Sequence, residues 1–205
     1  MKKIVNEYFV YNFNELSDNA KEYAIEKYND INTDGYEWWI DDLIDFSDEI
    51  ETNGIKIDIK DIYFSIAYSQ SDYLYFDKGS IDGIKYIESF KLDKYQKLVD
   101  FYQKNDGNLS FSIIGNSYRE RQYVEFSGDN FYDLIDDIDE LEYLQLETLI
   151  NRLKKDIDEY INEIAKNLHK KLYRVYEYLT SDDAIIETFL ANEYTFLENG
   201  VMDNS

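Results

Sequence analysis

The 205-residue chain contains no cysteine and no proline, a single histidine, eight glycines, and only 21 lysines and arginines against 44 aspartates and glutamates. Most of these shortages remove a class of function. Without cysteine there is no disulfide framework, no thiolate metal site and no cysteine nucleophile, and cysteine usage lends secretion no support. One histidine, His169, leaves histidine-based triads and multi-histidine zinc sites with almost nothing to work with. It follows Leu168 in a basic patch of Lys166, Lys170, Lys171 and Arg174, and this setting predicts an exposed helix residue. The glycines are dispersed at turn positions in neither Walker nor dinucleotide spacing, so no phosphate-cradling loop is expected. The missing proline excludes nothing, because an AT-rich coding sequence accounts for it as well as any structural cause.

Long apolar runs are missing too. A membrane helix needs roughly 18 consecutive apolar residues, and Met1 to Glu7 turns charged and polar where a signal peptide needs an apolar core. A soluble, cytoplasmic protein is the expectation. The formal charge of −23 goes far beyond what solubility requires. It repels nucleic acid and anionic membrane surfaces, so direct binding to either is disfavoured. High charge is also a mark of disorder, but 44% hydrophobic and 17% aromatic residues supply enough burial for a folded chain. Tyrosine, present 21 times, also suits contact surfaces, being large and stiff with a polar tip.

The periodicities predict an α+β fold, with an antiparallel or mixed sheet flanked by helices and one long C-terminal helix. Residues 4–11 read as a first strand. Leu16, Ala20, Tyr23, Ala24 and Tyr28 share a helix face, with Ser17 or Asn14 as N-cap. A second helix over about 36–52 carries the stripe Trp39, Leu43, Phe46 and Ile50 and closes at Asn53-Gly54. Alternation over Ile55 to Ile59, a more buried run from Ile62 to Tyr68, and Tyr73 to Phe76, Ile84 to Phe90, Leu109 to Ile114 and Gln122 to Phe126 read as strands, with a helix over about 93–104. From Leu146 to Leu179 apolar residues recur every three or four positions. That ladder predicts one nearly straight helix of about 40 residues, roughly 60 Å long. A short helix starts at Thr180 to Asp183, and a strand over 192–197 ends the chain. A body of residues 1–140 and a helical region of 141–205 packed on it, together one domain, is the expected organisation.

Carboxylates are the one plentiful functional group. The helix near residue 45 places Asp41, Asp42, Asp45, Asp48, Glu49 and Glu51 outward, and the run Asp129 to Glu147 contains no base. Within that run Asp133, Asp136, Asp137 and Glu140 are spaced to share a helix face, where repulsion is costly unless cations or a basic partner neutralise it. Neither stretch fits a calcium-binding loop. The readings left open are a solvated acidic face, a protein-binding face and a metal site. Acidic helix faces with tyrosines nearby can imitate nucleic-acid phosphates and so occupy a basic channel.

Two stretches carry a resemblance. The segment from Ile62 to Asp72, and the tail from Glu177 to Thr188 with Ala191 to Phe196 and Gly200, are similar to a family of small phage and prophage proteins with no settled function; Glu15 to Lys21 and Trp38-Trp39 fit its opening. Residues 85–145 lie outside the likeness. Family members resemble a Ser-Gln-Gly-Asp-Gly turn, whereas this chain has Ser69-Gln70-Ser71-Asp72-Tyr73. Glycine there would permit a positive φ or close approach of a ligand to the backbone. The resemblance implies a phage accessory setting inside a bacterial host cell, where acidic accessory proteins are often similar to anti-CRISPR inhibitors.

The leading expectation is therefore a non-catalytic inhibitor without a cofactor. Its acidic residues Asp41, Asp42, Asp45, Asp48, Glu49, Asp133, Asp136, Asp137, Asp139 and Glu140 would block the basic surface of a host nuclease or RNA-guided complex. A second expectation is a protein that sequesters a nucleotide signal near Ser69, Gln70 and Asp72, with Arg119 and Arg121 offsetting the negative field. A carboxylate-dependent metal enzyme is the third.

Overall fold

The computed structural model describes residues 8–35, 37–66, 72–135 and 138–203. In chain order the elements are β1 (Tyr11–Asn12), α1 (Asp18–Lys27), α2 (Ile40–Glu51), β2 (Ile55–Lys56), β3 (Ile62–Ser65), β4 (Tyr73–Phe76) and β5 (Lys78–Asp82). There follow α3 (Gly83–Ser89), α4 (Gln96–Lys104), β6 (Ser110–Asn116), β7 (Arg121–Phe126), α5 (Phe131–Leu134), α6 (Glu140–Leu179), α7 (Asp182–Ala191) and β8 (Thr195–Phe196). The fold is α+β, and every strand pair among the described residues is antiparallel. The chain divides into two compact units, residues 39–172 and residues 1–38 with 173–205. That division cuts α6 after Leu172, while the sequence suggested a boundary at its start.

The larger unit is built on a four-stranded sheet in the order β2-β5-β6-β7, beside the separate pair β3-β4. Its central strand β5 escapes sequence reading because Lys78-Gly79-Ser80-Ile81-Asp82 has one large apolar residue. Gly79 is what lets it sit there. A Cβ at that position would lie 2.8 Å from Ile113 Cδ1 and 2.9 Å from the Lys56 carbonyl, so the neighbouring strand and side chain occupy the space.

Helix α6 lies along this unit with one seam inward. Leu146, Ile150, Leu153, Ile157, Ile161, Ala165, Leu168 and Leu172 are buried at spacings of three and four. Each fully buried Leu or Ile contributes about 1.5–3 kcal/mol relative to exposure. Polar anchors fix the register. The Asp158 carboxylate accepts the Val124 N–H at 3.0 Å on edge strand β7, and Asp156 accepts from the hydroxyl of Tyr95 at 2.7 Å and from Lys94. Tyr160 meets Tyr86 and Phe90 edge-on at 5.9 and 4.9 Å.

The smaller unit has an aromatic core. Phe189 packs against Phe13 and Phe196 at 5.3 and 5.1 Å, above the small residues Ala20 and Ala24 of α1. Ser17 caps α1 by accepting the Ala20 N–H, and Ser181 caps α7 by accepting the Ala184 N–H, so both helices start where their hydroxyls predict. The terminal strand pairs with β1, as Tyr11↔Phe196 and Asn12↔Thr195. Gly200 has φ +84°, and a Cβ there would come 2.2 Å from the Ala20 carbonyl oxygen, so a glycine is required.

Three expectations are corrected. Residues Ile84 to Ser89 are helical within α3 (Gly83–Ser89), with Phe90 as its C-cap, because Asp82 caps by accepting the Lys85 N–H and the buried Gly83, Tyr86 and Ile87 recur at helical spacing. Tyr63 and Tyr23 are exposed, the first on the outer face of β3 and the second on the outer side of α1. The first strand comprises Tyr11–Asn12 among the described residues, with residues 8–10 outside it and 1–7 beyond the description.

Candidate functional site

The acidic residues of α2 divide by direction. Asp42 forms an ion pair with Lys171 of α6 at 2.8 Å. That hydrogen bond, with the charges of Asp42, Asp45 and Glu49, holds the Lys171 ammonium above its ordinary pKa despite partial burial. Glu49 also lines the groove between α2 and α6 with Tyr160 and Lys171. The basic patch of α6 thus neutralises part of this face from within. Asp41 and Asp48 stay exposed around Ile44, itself 41% exposed.

The second acidic stretch is not one helix. Helix α5 ends at Leu134, Ile135 is extended at φ −142° and ψ 120°, and α6 begins only at Glu140. Asp133 and Glu140 therefore sit on different helices, and the expected shared face is broken by a link containing Asp136 and Asp137, which lie outside the described residues. Asp139 works as the helix cap: its carboxylate accepts the N–H groups of Leu141 and Glu142 at 2.9 and 3.2 Å. Asp129 is also structural, accepting the Asn108 N–H at 2.7 Å through its carboxylate and the Tyr102 hydroxyl at 2.9 Å through its carbonyl.

What surrounds these acids was not anticipated. Tyr132 of α5 stacks on Tyr143 of α6 at 5.0 Å, and Tyr143 meets the buried Phe131 edge-on at 5.6 Å. The stacking holds α5 to the start of α6. Beside this pair Leu141 is 65% exposed, Leu144 50% and Tyr132 57%. Among the described residues no ion pair involves Asp133, Asp139, Glu140 or Glu142. Exposed acidic and apolar side chains thus lie side by side in sequence over α5 and the start of α6, and Leu144 borders a groove that also carries Lys97 and Arg152.

Farther along α6 lies a surface of opposite character. A cleft of about 310 Å³ is bounded by the start of β4, the turn and strand start at 119–122, and the α6 face bearing Asn162, Lys166 and His169. Its floor carries Gln122, the one buried polar side chain among the described residues, 5% exposed. Its side-chain oxygen accepts the Phe76 N–H at 3.2 Å, and its amide donates to Asn162 Oδ1 at 3.1 Å. One glutamine thereby ties β4, β7 and α6 together, and an unbonded polar group at that position would cost about 1–3 kcal/mol. His169 is half-buried here, with Nε2 3.0 Å from the Ser65 carbonyl, which corrects the exposed placement expected from its basic neighbours. A carbonyl only accepts, so Nε2 carries the hydrogen.

Arg119, Arg121 and Lys166 line the cleft, and no ion pair among the described residues engages them. Asp72 lines it as well, with the two arginines; Ser69 and Gln70, the other residues of the expected ligand turn, lie outside the described residues. No group of three His, Asp or Glu side chains suited to a metal ion occurs among the described residues, and no helix among them is long and apolar enough to cross a membrane. Comparison with protein-family models, curated proteins and solved structures finds no match to this chain.

Proposed function

We propose that this chain is a non-catalytic inhibitor that docks the acidic and apolar side chains exposed at α5 and the start of α6 onto the basic nucleic-acid-binding surface of a host defence nuclease or RNA-guided complex. The observation that carries the reading is the coincidence of exposed Tyr132, Leu141 and Leu144 with Asp133, Asp139 and Glu140, none of them ion-paired among the described residues. The exposed apolar side chains supply desolvated contact, and the acids supply steering and selectivity for a cationic partner. Asp41 and Asp48 of α2 add a weaker patch of the same kind. The phage setting comes from the resemblance at both ends of the chain.

The test is capture from a bacterial lysate expressing a defence nuclease, followed by affinity measurement on the captured protein over a range of salt. The reading expects a basic nucleic-acid-binding protein whose affinity falls steeply with salt, because ionic contacts weaken as counterions accumulate. Capture of no basic protein, or an affinity that salt leaves unchanged, would sink it.

A further inference from the structure

We infer that the cleft between β4, the start of β7 and α6 is a binding site for a small organic phosphate of nucleotide size. The site is independent of the inhibitory face, and neither proposal depends on the other.

Four observations point the same way. First, cations gather where the bulk charge opposes them. In a chain of formal charge −23, the cleft is lined by Arg119, Arg121 and Lys166 against Asp72 and Glu120, three cations to two carboxylates. Such a grouping far apart in sequence has no role in local helix or strand formation, and the cations carry no ion pair among the described residues.

Second, the geometry suits a phosphate. Arg119 and Arg121 flank a single residue at the entrance to β7, while Lys166 stands on the face of α6 that lines the same cleft, so two elements present cationic donors to one volume. Guanidinium forks match phosphate oxygens in pairs, and a lysine adds a mobile point charge.

Third, the cleft is built. The Gln122 bridge to Phe76 and Asn162 fixes its floor, and the Ser65 carbonyl fixes the imidazole of His169 in one orientation. A floor already tied to its neighbours needs no reordering when the cleft is filled.

Fourth, the rest of the lining selects for more than a bare anion. Half-buried Tyr73 and Leu74 offer a wall for a ring, while Glu120 can accept from a ligand hydroxyl and would repel an anion that has none. At about 310 Å³ the cleft sits at the small end of ligand sites, which span roughly 300–1,000 Å³.

The experiment uses the full chain and exploits the fact that His169 is its only histidine. Its ring-proton NMR signal reports the cleft without any assignment step. Titration with adenosine monophosphate should move this signal saturably. Adenosine should leave it in place, and inorganic phosphate should move it only at concentrations at least tenfold higher. Arg121→Gln and Lys166→Gln should each weaken the response at least tenfold, whereas Lys104→Gln, which removes a charge outside the cleft, should not. Thermal unfolding checks each variant. Should Arg121→Gln fail to fold, Arg119→Gln on the exposed turn serves in its place, since only the Arg119 backbone is bonded, to Asn116. The inference is overturned by a silent His169 signal at millimolar adenosine monophosphate, by inorganic phosphate binding as tightly as the nucleotide, or by an equal loss in Lys104→Gln.

Discussion

The first turns of α6 and the stretch around Lys166 belong to one helix, about 40 Å apart at 1.5 Å per residue, yet they carry opposite surfaces. At the start of the helix, acids without ion pairs among the described residues accompany exposed leucines and a tyrosine stack. At Lys166 and His169, cations face a recessed cleft with a hydrogen-bonded floor. A net charge of −23 would suggest a uniform repulsive coat, but the molecule spends its few bases selectively. Lys171 is tied to Asp42, Lys94 to Asp156, and Lys166 is left facing the cleft with the two arginines. The contrast teaches that bulk charge forecasts the sign of one surface and misses the other.

The largest expected effect comes from breaking the scaffold that both surfaces share. Leu153 is fully buried on the α6 seam, and Leu153→Ala should cost about 2–5 kcal/mol in urea unfolding by creating a cavity. Loss of both binding activities together would follow from a common scaffold, whereas survival of either one unchanged in a destabilised protein would argue against it.

Next is Gln122→Leu, which leaves the Phe76 N–H without its acceptor and should cost about 1–3 kcal/mol. It should abolish the histidine-signal response to nucleotide while leaving partner capture through α5 and α6 intact. Equal damage to both would mean that the cleft and the acidic face are not separable.

Charge reversal at the acidic face should do the converse. Asp133→Lys with Glu140→Lys is expected to weaken partner binding at least tenfold with little change in stability, because neither carboxylate is in an ion pair among the described residues. Asp139 requires a different substitution. Asp139→Asn keeps the cap oxygen for Leu141 and Glu142, whereas Asp139→Ala should lose about 1 kcal/mol of helix capping.

How much of this was legible beforehand depends on how local the cause is. Helix α6 was readable because its ladder from Leu146 to Leu172 is a repetition within one segment, and the starts of α1 and α7 were readable from their hydroxyls, although Ser181 and not Thr180 bonds the N–H three residues on. Strand β5 was not, since its place in the sheet comes from what Gly79 lets neighbours do. The segment 84–90 was misread because a short apolar run does not distinguish strand from helix, and the deciding cap at Asp82 was overlooked. The same division holds for the site. Acids close in sequence were visible, although the extended Ile135 splits their helix. Arg119 and Arg121 were suspected beside Asp72, but the contribution of Lys166 and His169 from more than 40 residues away was not foreseeable from spacing.

The smallest effects concern pH and act on the body that carries both surfaces. Burial first, then Tyr160 and Asp156 at Tyr86, Asp156 at Tyr95 and Asp129 at Tyr102, push these three phenols well above their ordinary value near 10. A raised folded pKa means that the stabilising contribution is complete below about pH 10 and is lost as pH rises beyond it. Titration followed at the phenolate absorbance should show these three tyrosines ionising only with unfolding. Asp156 has the opposite sign. Burial raises its pKa, but hydrogen bonds from Lys94 and Tyr95 outweigh this and hold it below the ordinary 3.8. Its contribution is present above about pH 4 and fades as pH falls through the folded value, so Asp156→Asn should flatten the acid limb of the stability curve.

The most direct measurement is a displacement assay on the captured basic partner loaded with labelled nucleic acid. The account predicts that the intact chain releases the nucleic acid in proportion to its own binding, and that the Asp133→Lys, Glu140→Lys variant does not. A ternary complex in which partner, nucleic acid and this chain coexist, or release that is indifferent to the charge reversal, would contradict it.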